Sequence, residues 1–248
     1  MRRREINRRS ILLLLTLLLL SQSKTVKAQD DPVNTTQIWL FWHYNHFFKP
    51  GFRYIHDIGY RQETPHDEWT RIHYRPGVQY SVGSIVDLTG GVGFWYTFQK
   101  DLPNSLEIRP WQGVKVNWPH LGRIDFDHYF RLEERFNLYV DDRDAWSFAM
   151  RGRYRFNFTI PINKKGIMDN TLFAKINAEF FMDIGKSIEE RYVSDRRYTM
   201  GLGYRFTPKW RLELLYVVEQ SKAFSSEGFK VNSHIIQFRL RTYILPQM

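Results

Sequence analysis

Cysteine is absent from the 248 residues of this chain. Without thiols the chain has no disulfide framework, no thiolate metal site and no cysteine for a lipid anchor. Long apolar runs are almost as scarce, since the one clear example, Ile11–Leu20, is too short to cross a membrane comfortably as a helix. Low-complexity segments, solenoid-length repeats and linkers are also lacking. These absences indicate one domain without helical membrane spans.

The first 28 residues have the organisation of a secretory signal peptide. Five arginines precede the apolar run, and Val26-Lys27-Ala28 resembles a small-residue cleavage site. We therefore expect residues 1–28 to be removed, leaving a mature domain over residues 29–248. The leader holds six of the ten net positive charges. Because the mature chain is only mildly basic, nucleic-acid binding is not indicated.

The mature chain is dominated by alternation of apolar and polar residues. In Ala145–Pro161, every second residue is aromatic or aliphatic, and the residues between them are rich in arginine. Only in a β-strand do successive side chains point to opposite faces. At roughly 3.3 Å per residue, this strand can cross about 30 Å of hydrocarbon. Eleven such segments are predicted: Thr36–Phe47, Phe52–Arg61, Thr70–Tyr80, Ile85–Phe98, Leu106–Trp118, Arg123–Phe136, Ala145–Pro161, Thr171–Asp183, Arg196–Phe206, Trp210–Glu219 and Val231–Ile244.

Charged residues fall almost entirely on one of the two faces. After the first strand, that face carries eighteen basic and ten acidic residues, whereas the opposite face carries only Glu134 and Arg196. Periodicity does not say which face is inside. A soluble barrel would bury the aromatic face, whereas a membrane barrel would turn it toward lipid.

Three features favour lipid as the partner of the apolar face. Its aromatic residues would overfill a soluble interior, and Trp118, Trp146 and Trp210 lie at strand ends, where interfacial girdles belong. The polar face is also rich in Arg and Gly, whereas a solvated face more often carries Lys, Glu and Thr. We therefore predict an all-β, antiparallel transmembrane β-barrel of ten to twelve strands, with twelve preferred.

Two features fit this prediction less well. Pro76 and Pro110 lie inside predicted strands, which usually argues against a central strand. The longer connections mostly follow even-numbered strands, among them Asn137–Asp144. Since outer-membrane barrels keep short turns in the periplasm, this pattern places the C-terminus there but starts the first strand outside. Either a twelfth strand or an N-terminal segment threading the lumen would remove that conflict.

Five short motifs resemble those of a known family. They are Glu107-Ile108-Arg109-Pro110-Trp111-Gln112-Gly113, Arg131-Leu132-Glu133-Glu134-Arg135-Phe136, Asp57-Ile58-Gly59-Tyr60-Arg61, Arg151-Gly152-Arg153-Tyr154-Arg155 and Arg197-Tyr198-Thr199-Met200-Gly201-Leu202-Gly203-Tyr204. Over nearly the whole mature chain, the sequence is similar to the DUF2490 family of uncharacterised outer-membrane β-barrel proteins. The resemblance implies a Gram-negative outer membrane, usually of Bacteroidetes-type bacteria. It implies no activity and no catalytic residues.

The candidate functional residues are those predicted to line the lumen. On neighbouring strands, Glu107 and Arg109 are expected to face Arg131, Glu133 and Arg135 in cross-strand ion pairs. The full set of candidates is Arg71, Arg75, Glu107, Arg109, Arg131, Glu133, Arg135, Arg151, Arg153, Arg155, Glu179 and Arg197. An excess of cations suits a narrow, anion-leaning channel. The same side chains also suit an ion-paired plug that conducts nothing.

No residue pattern indicates catalysis, a cofactor or a metal site. Ser233 and His234 are strand neighbours that must point to opposite faces, and His73 is expected to be a hydrogen-bonded lumen residue. The sequence thus favours a non-enzymatic outer-membrane barrel that contacts lipid and lipopolysaccharide, and small anionic solutes if it conducts. A barrel-embedded lipid-modifying enzyme and a secreted soluble barrel that binds an apolar ligand remain alternatives. Nothing in the sequence indicates the oligomeric state.

Overall fold

A computed structural model describes residues 35–64, 66–140, 142–184, 193–222 and 228–245. The predicted signal peptide lies outside these ranges. Within them there is no helix that could cross a membrane. The described part of the chain forms eleven strands: β1 (Thr35–Lys49), β2 (Phe52–Thr64), β3 (Trp69–Val82), β4 (Val86–Gln99), β5 (Ser105–Asn117), β6 (Asp125–Tyr139), β7 (Asp142–Pro161), β8 (Thr171–Ile184), β9 (Val193–Thr207), β10 (Trp210–Ser221) and β11 (Lys230–Ile244). Each of the eleven predicted segments is confirmed, with its ends within three residues of the prediction.

The strands close into a barrel in which sequence neighbours pair antiparallel and β1 pairs with β11. That closing pair is parallel, from Thr35 opposite Ser233 to His46 opposite Ile244. The predicted antiparallel barrel of ten to twelve strands is therefore confirmed, with eleven described strands instead of the preferred twelve and one parallel pair at the closure. With an odd number of strands, the first and last strands must run in the same direction. The barrel thus begins at one end, here called the Thr35 end, and finishes at the other, the Ile244 end.

The strands are staggered around the barrel. From Trp39, the paired residues traced through β11 to β7 reach Asp125 on β6. Traced the other way, through β2 to β5, they reach Tyr139 on the same strand, fourteen positions further along. A closed barrel requires such an offset, which tilts the strands against the barrel axis.

The structure decides which face is inside. Large apolar side chains at alternate positions, such as Leu214 and Met200, are exposed on the outer wall. Charged side chains at the positions between them, such as Glu213, point into the lumen and are buried. The predicted outward-facing aromatic wall and charged interior are thus confirmed. A soluble barrel with an apolar lumen, one of the alternatives above, does not fit this arrangement.

Glycines on the inner face make room for aromatic rings in the lumen. A Cβ atom on Gly203 would lie 2.3 Å from the ring of Phe173 on the neighbouring strand, and one on Gly93 would lie 2.3 Å from the ring of Trp95. A side chain at either position would force the ring to move. The glycine content of the polar face, noted in the sequence, therefore reflects close packing inside the barrel.

Both strand prolines occur in central strands, at interruptions of the hydrogen-bonded ladder. The pairing of β3 with β4 skips Arg75 and Pro76, and the pairing of β5 with β6 skips Arg109 and Pro110. A proline has no amide hydrogen to donate. At these two residues β3 is not paired with β4, and β5 is not paired with β6. The pairing of β3 with β2 and of β5 with β4 continues without a break there.

The connection lengths differ from those expected. The predicted long loop Asn137–Asp144 is wrong, because β6 continues to Tyr139 and β7 starts at Asp142. At the Ile244 end, residues 118–124 and 162–170 form long connections. At the Thr35 end, eight sequence positions separate the end of β10 at Ser221 from the start of β11 at Lys230. Long connections therefore occur at both ends of the barrel, and their length does not distinguish the two ends.

Candidate functional site in the lumen

All twelve predicted lumen residues are on the inner face of the barrel. Ten of them form ion pairs within 4 Å: Arg75, Glu107, Arg109, Arg131, Glu133, Arg135, Arg151, Arg153, Glu179 and Arg197. The other two are partnered differently. Arg71 donates to the hydroxyl of Thr97 at 2.7 Å, and Arg155 lies 5.3 Å from the ring of Tyr129.

Glu133 is the hub of the largest ion-pair network. Its side chain is 0% exposed, and its carboxylate oxygens accept from four guanidinium groups. The contacts measure 2.7 Å to Arg151 and Arg153, 3.3 Å to Arg109 and 3.5 Å to Arg131. A carboxylate fully removed from water needs this degree of charge compensation.

Glu107 extends the network toward the Thr35 end. Its Oε1 accepts from Arg109 Nη2 and from Arg135 Nε, each at 2.6 Å. Arg109 therefore bridges Glu107 and Glu133. The predicted cross-strand pairs between β5 and β6 are confirmed.

Glu179 extends the network in the other direction around the wall. Its Oε1 accepts from Arg153 at 2.7 Å, and its Oε2 lies 3.4 Å from Arg197. Arg197 in turn pairs with Glu219 at 2.6 Å. Charges on six consecutive strands, β5 to β10, are thereby linked into a single network.

Aromatic side chains pack against these guanidinium groups. The Arg109 guanidinium lies 3.9 Å from the ring centre of Trp95, and those of Arg153 and Arg197 each lie 4.9 Å from Phe181. Such cation–π contacts strengthen where water is excluded. Neither ring was among the predicted site residues.

Together these contacts form a complete circuit around the lumen wall. From Trp39 it passes through ring and ion-pair contacts of 2.7 to 5.6 Å and returns to Trp39. In order, the members are Trp39, Arg197, Phe181, Arg153, Glu133, Arg109, Trp95, His73 and Phe41; we call this set the plug. Val217 on β10 and Ile235 on β11 pack with Trp39, on the two strands that lie between β1 and β9.

His73 is held in place by a hydrogen bond and by two aromatic rings. Its Nε2 lies 2.7 Å from Oδ2 of Asp57, and its ring is stacked on Trp95 and packed edge-on against Phe41. Asp57 also accepts from Arg75 at 2.6 Å. The expectation of a hydrogen-bonded lumen histidine is confirmed.

Ser233 and His234 point to opposite faces, as expected. The Ser233 hydroxyl lies inside, 2.9 Å from that of Thr35. The His234 ring lies on the outer wall, 2.6 Å from the Tyr216 hydroxyl. These two residues therefore cannot act on one substrate as nucleophile and base.

A second ion-pair cluster surrounds Glu213, nearer the Ile244 end. This buried carboxylate lies 2.9 Å from Arg239 and from Arg241, and 3.4 Å from Lys175. The alternation in the sequence placed all four residues on the polar face, but they were not among the predicted site residues. Finding them required the pairing register, since they come from β8, β10 and β11.

Beside this cluster the lumen contains a cavity of about 320 Å³. Nine Lys and Arg side chains line it, against three carboxylates. The cationic lining residues are Arg53, Arg75, Lys115, Arg131, Arg155, Lys175, Arg211, Arg239 and Arg241, and the acidic ones are Asp57, Asp127 and Glu213. The cavity is therefore strongly basic, unlike the ion-paired network around Glu133.

The fold and the lumen define a closed β-barrel with an apolar outer wall and a charged interior. Residues 36–229 match the family model described as "Protein of unknown function (DUF2490)", which is more than half of the chain. The chain belongs to this family, and the resemblance seen in its motifs is confirmed.

Comparison with curated proteins gives no match. Among solved structures, the chain is similar to the translocator domain of the autotransporter NalP from Neisseria meningitidis. That similarity has a TM-score of 0.48 and 12% sequence identity, and it covers 71% of this chain and 72% of that chain.

Proposed function

We propose that this protein is a non-enzymatic outer-membrane β-barrel whose lumen is sealed by the plug, so that it serves the envelope as a structural protein and not as an open diffusion channel. The outer-membrane location is supported by the apolar wall. A water-soluble barrel has no partner for so many exposed apolar side chains, whereas lipid provides one.

The observation that carries the sealed lumen is the burial of the plug. A water-filled pore would leave the side chains along its wall accessible. Instead Glu133, on the inner face near the middle of β6, is entirely inaccessible. Inward side chains of seven other strands are no more than 5% exposed: Trp39, His73, Trp95, Arg109, Phe181, Val217 and Ile235. The cation excess predicted to favour anion passage lies mainly in the basic cavity, beyond this obstruction.

Planar-bilayer recording tests the sealed lumen. We expect the purified full-length protein to insert without steady current. The double variant Trp39→Ala/Trp95→Ala removes two buried rings from the plug, leaves the Glu133 ion pairs in place and should produce measurable single-channel steps. The matched variant Asp87→Ala/Lys115→Ala removes a 3.2 Å ion pair near the Ile244 end and should remain silent. Steady anion-selective current through the unmodified protein would instead establish the narrow channel.

A further inference from the structure

We propose that the basic cavity binds a small organic phosphate monoester through Arg53, Arg155 and Arg211. The inference rests on the proposed function in one respect, that the plug makes this cavity a blind pocket. Its opening is at the Ile244 end. There, Arg53 and Arg211 also line a wider mouth together with Pro208 and Leu245. Pro208 lies in the connection between β9 and β10, and Leu245 is the residue that follows β11.

The cavity holds cationic groups without acidic partners. Among the described residues, no carboxylate lies within ion-pair distance of Arg53, Arg155 or Arg211, and the Nε of each is buried without a hydrogen-bond acceptor. Two of the three lining carboxylates are occupied elsewhere. Asp57 binds His73 and Arg75, and Glu213 binds three other cations. The third, Asp127, accepts from Asn157.

This charge imbalance calls for a bound anion. Guanidinium groups that share one cavity repel one another, and burying their donor atoms without an acceptor is costly. The mouth adds to the imbalance, because its lining contains five Lys and Arg and no carboxylate. In the network around Glu133, protein carboxylates supply the negative charge. In the cavity, a ligand would have to supply it.

The size and walls of the cavity indicate the class of ligand. A volume of about 320 Å³ is at the lower limit for small-molecule pockets, so a single small molecule fits and a polymer does not. A phosphate monoester carries about −1.5 to −2 charges near neutral pH and matches the donor geometry of guanidinium groups. The rings of Trp111, Tyr129, Phe173 and Tyr243 line the same space and suit the organic part of the ligand.

Such a phosphate could come from a free solute or from a lipid headgroup. Equilibrium binding to the full-length protein in detergent separates the sources, with glycerol 3-phosphate as the soluble probe and phosphatidic acid in mixed micelles as the lipid probe. We expect saturable binding of at least one probe, weakened by added salt, and no binding of glycerol. Binding of the soluble probe assigns a free solute, and binding of phosphatidic acid alone assigns a headgroup. Both results support the proposal.

The double variant Arg53→Gln/Arg211→Gln tests the site itself. It should weaken binding at least tenfold, yet keep the barrel folded, because it removes repelling charges and no ion pair. The control Arg123→Gln removes an exposed arginine outside the cavity, which donates to the backbone oxygens of Ile162 and Lys164, and should bind normally. The proposal is overturned if neither probe binds, or if the double variant binds as tightly as the unmodified protein. Conductance measures the plug separately, so failure of one proposal does not imply failure of the other.

Discussion

A Glu133→Gln variant is expected to lose most of the stability of the barrel. The substitution keeps the shape of the side chain but leaves four buried guanidinium groups without their shared carboxylate. Breaking a single buried ion pair typically costs about 3–5 kcal/mol, and this carboxylate compensates several cations at once. Denaturant unfolding in lipid vesicles, followed by gel mobility with and without boiling, measures the loss.

The neighbouring glutamate supplies the control. Glu134 follows Glu133 on β6 but lies on the opposite face of the strand, where it is paired in register with Met150. Glu134→Gln removes the same charge from the outer wall, where no described cation is paired with it, and should leave stability unchanged or slightly raised. Equal losses in the two variants would contradict the role given to the Glu133 network.

A Leu214→Arg variant is expected to fold poorly into lipid. Leu214 is 50% exposed on the outer wall, and its register neighbours Leu202 and Phe238 are also exposed and apolar. An arginine on the lipid face near the bilayer midplane costs roughly 2–4 kcal/mol. The fraction of protein that folds into vesicles, and its stability there, should both fall.

The control for this variant lies on the same strand and the same face. Gln220 is one residue from the end of β10, where the interface lies and an arginine costs little. Gln220→Arg should therefore behave like the unmodified protein. If Leu214→Arg behaved in the same way, the outer wall at that position would be in water.

The strands and their two faces could be predicted because both follow from a local period of two residues. In Ala145–Pro161 the alternation is nearly unbroken, and the structure confirms β7 there. The bulk of the aromatic side chains and the placement of tryptophans at strand ends were enough to predict that the apolar face points outward. The ion pairs between Glu107, Arg109 and Glu133 were also predictable, because they join strands that are adjacent in sequence.

Features that depend on closure could not be predicted in the same way. The parallel pairing of β1 with β11 joins residues almost 200 positions apart, and nothing local encodes it. The Glu213 cluster likewise depends on the stagger of β8, β10 and β11. Trp39, Trp95 and Phe181 have the sequence character of outer-wall residues, but their position in the alternation places them inside. Their place in the two-residue alternation was therefore the sequence feature from which the aromatic part of the plug could have been predicted.

The central claim is that lipid contacts the apolar wall of this barrel. Since the chain has no cysteine, a single introduced thiol reports one position without background. Met200→Cys places it on the outer wall, where Met200 is 58% exposed, and Lys209→Cys places it in the connection between β9 and β10. In vesicles, a fluorophore at position 200 should be quenched by nitroxide-labelled lipid, and one at position 209 by a water-soluble quencher. Quenching at position 200 by the water-soluble agent alone would contradict the account.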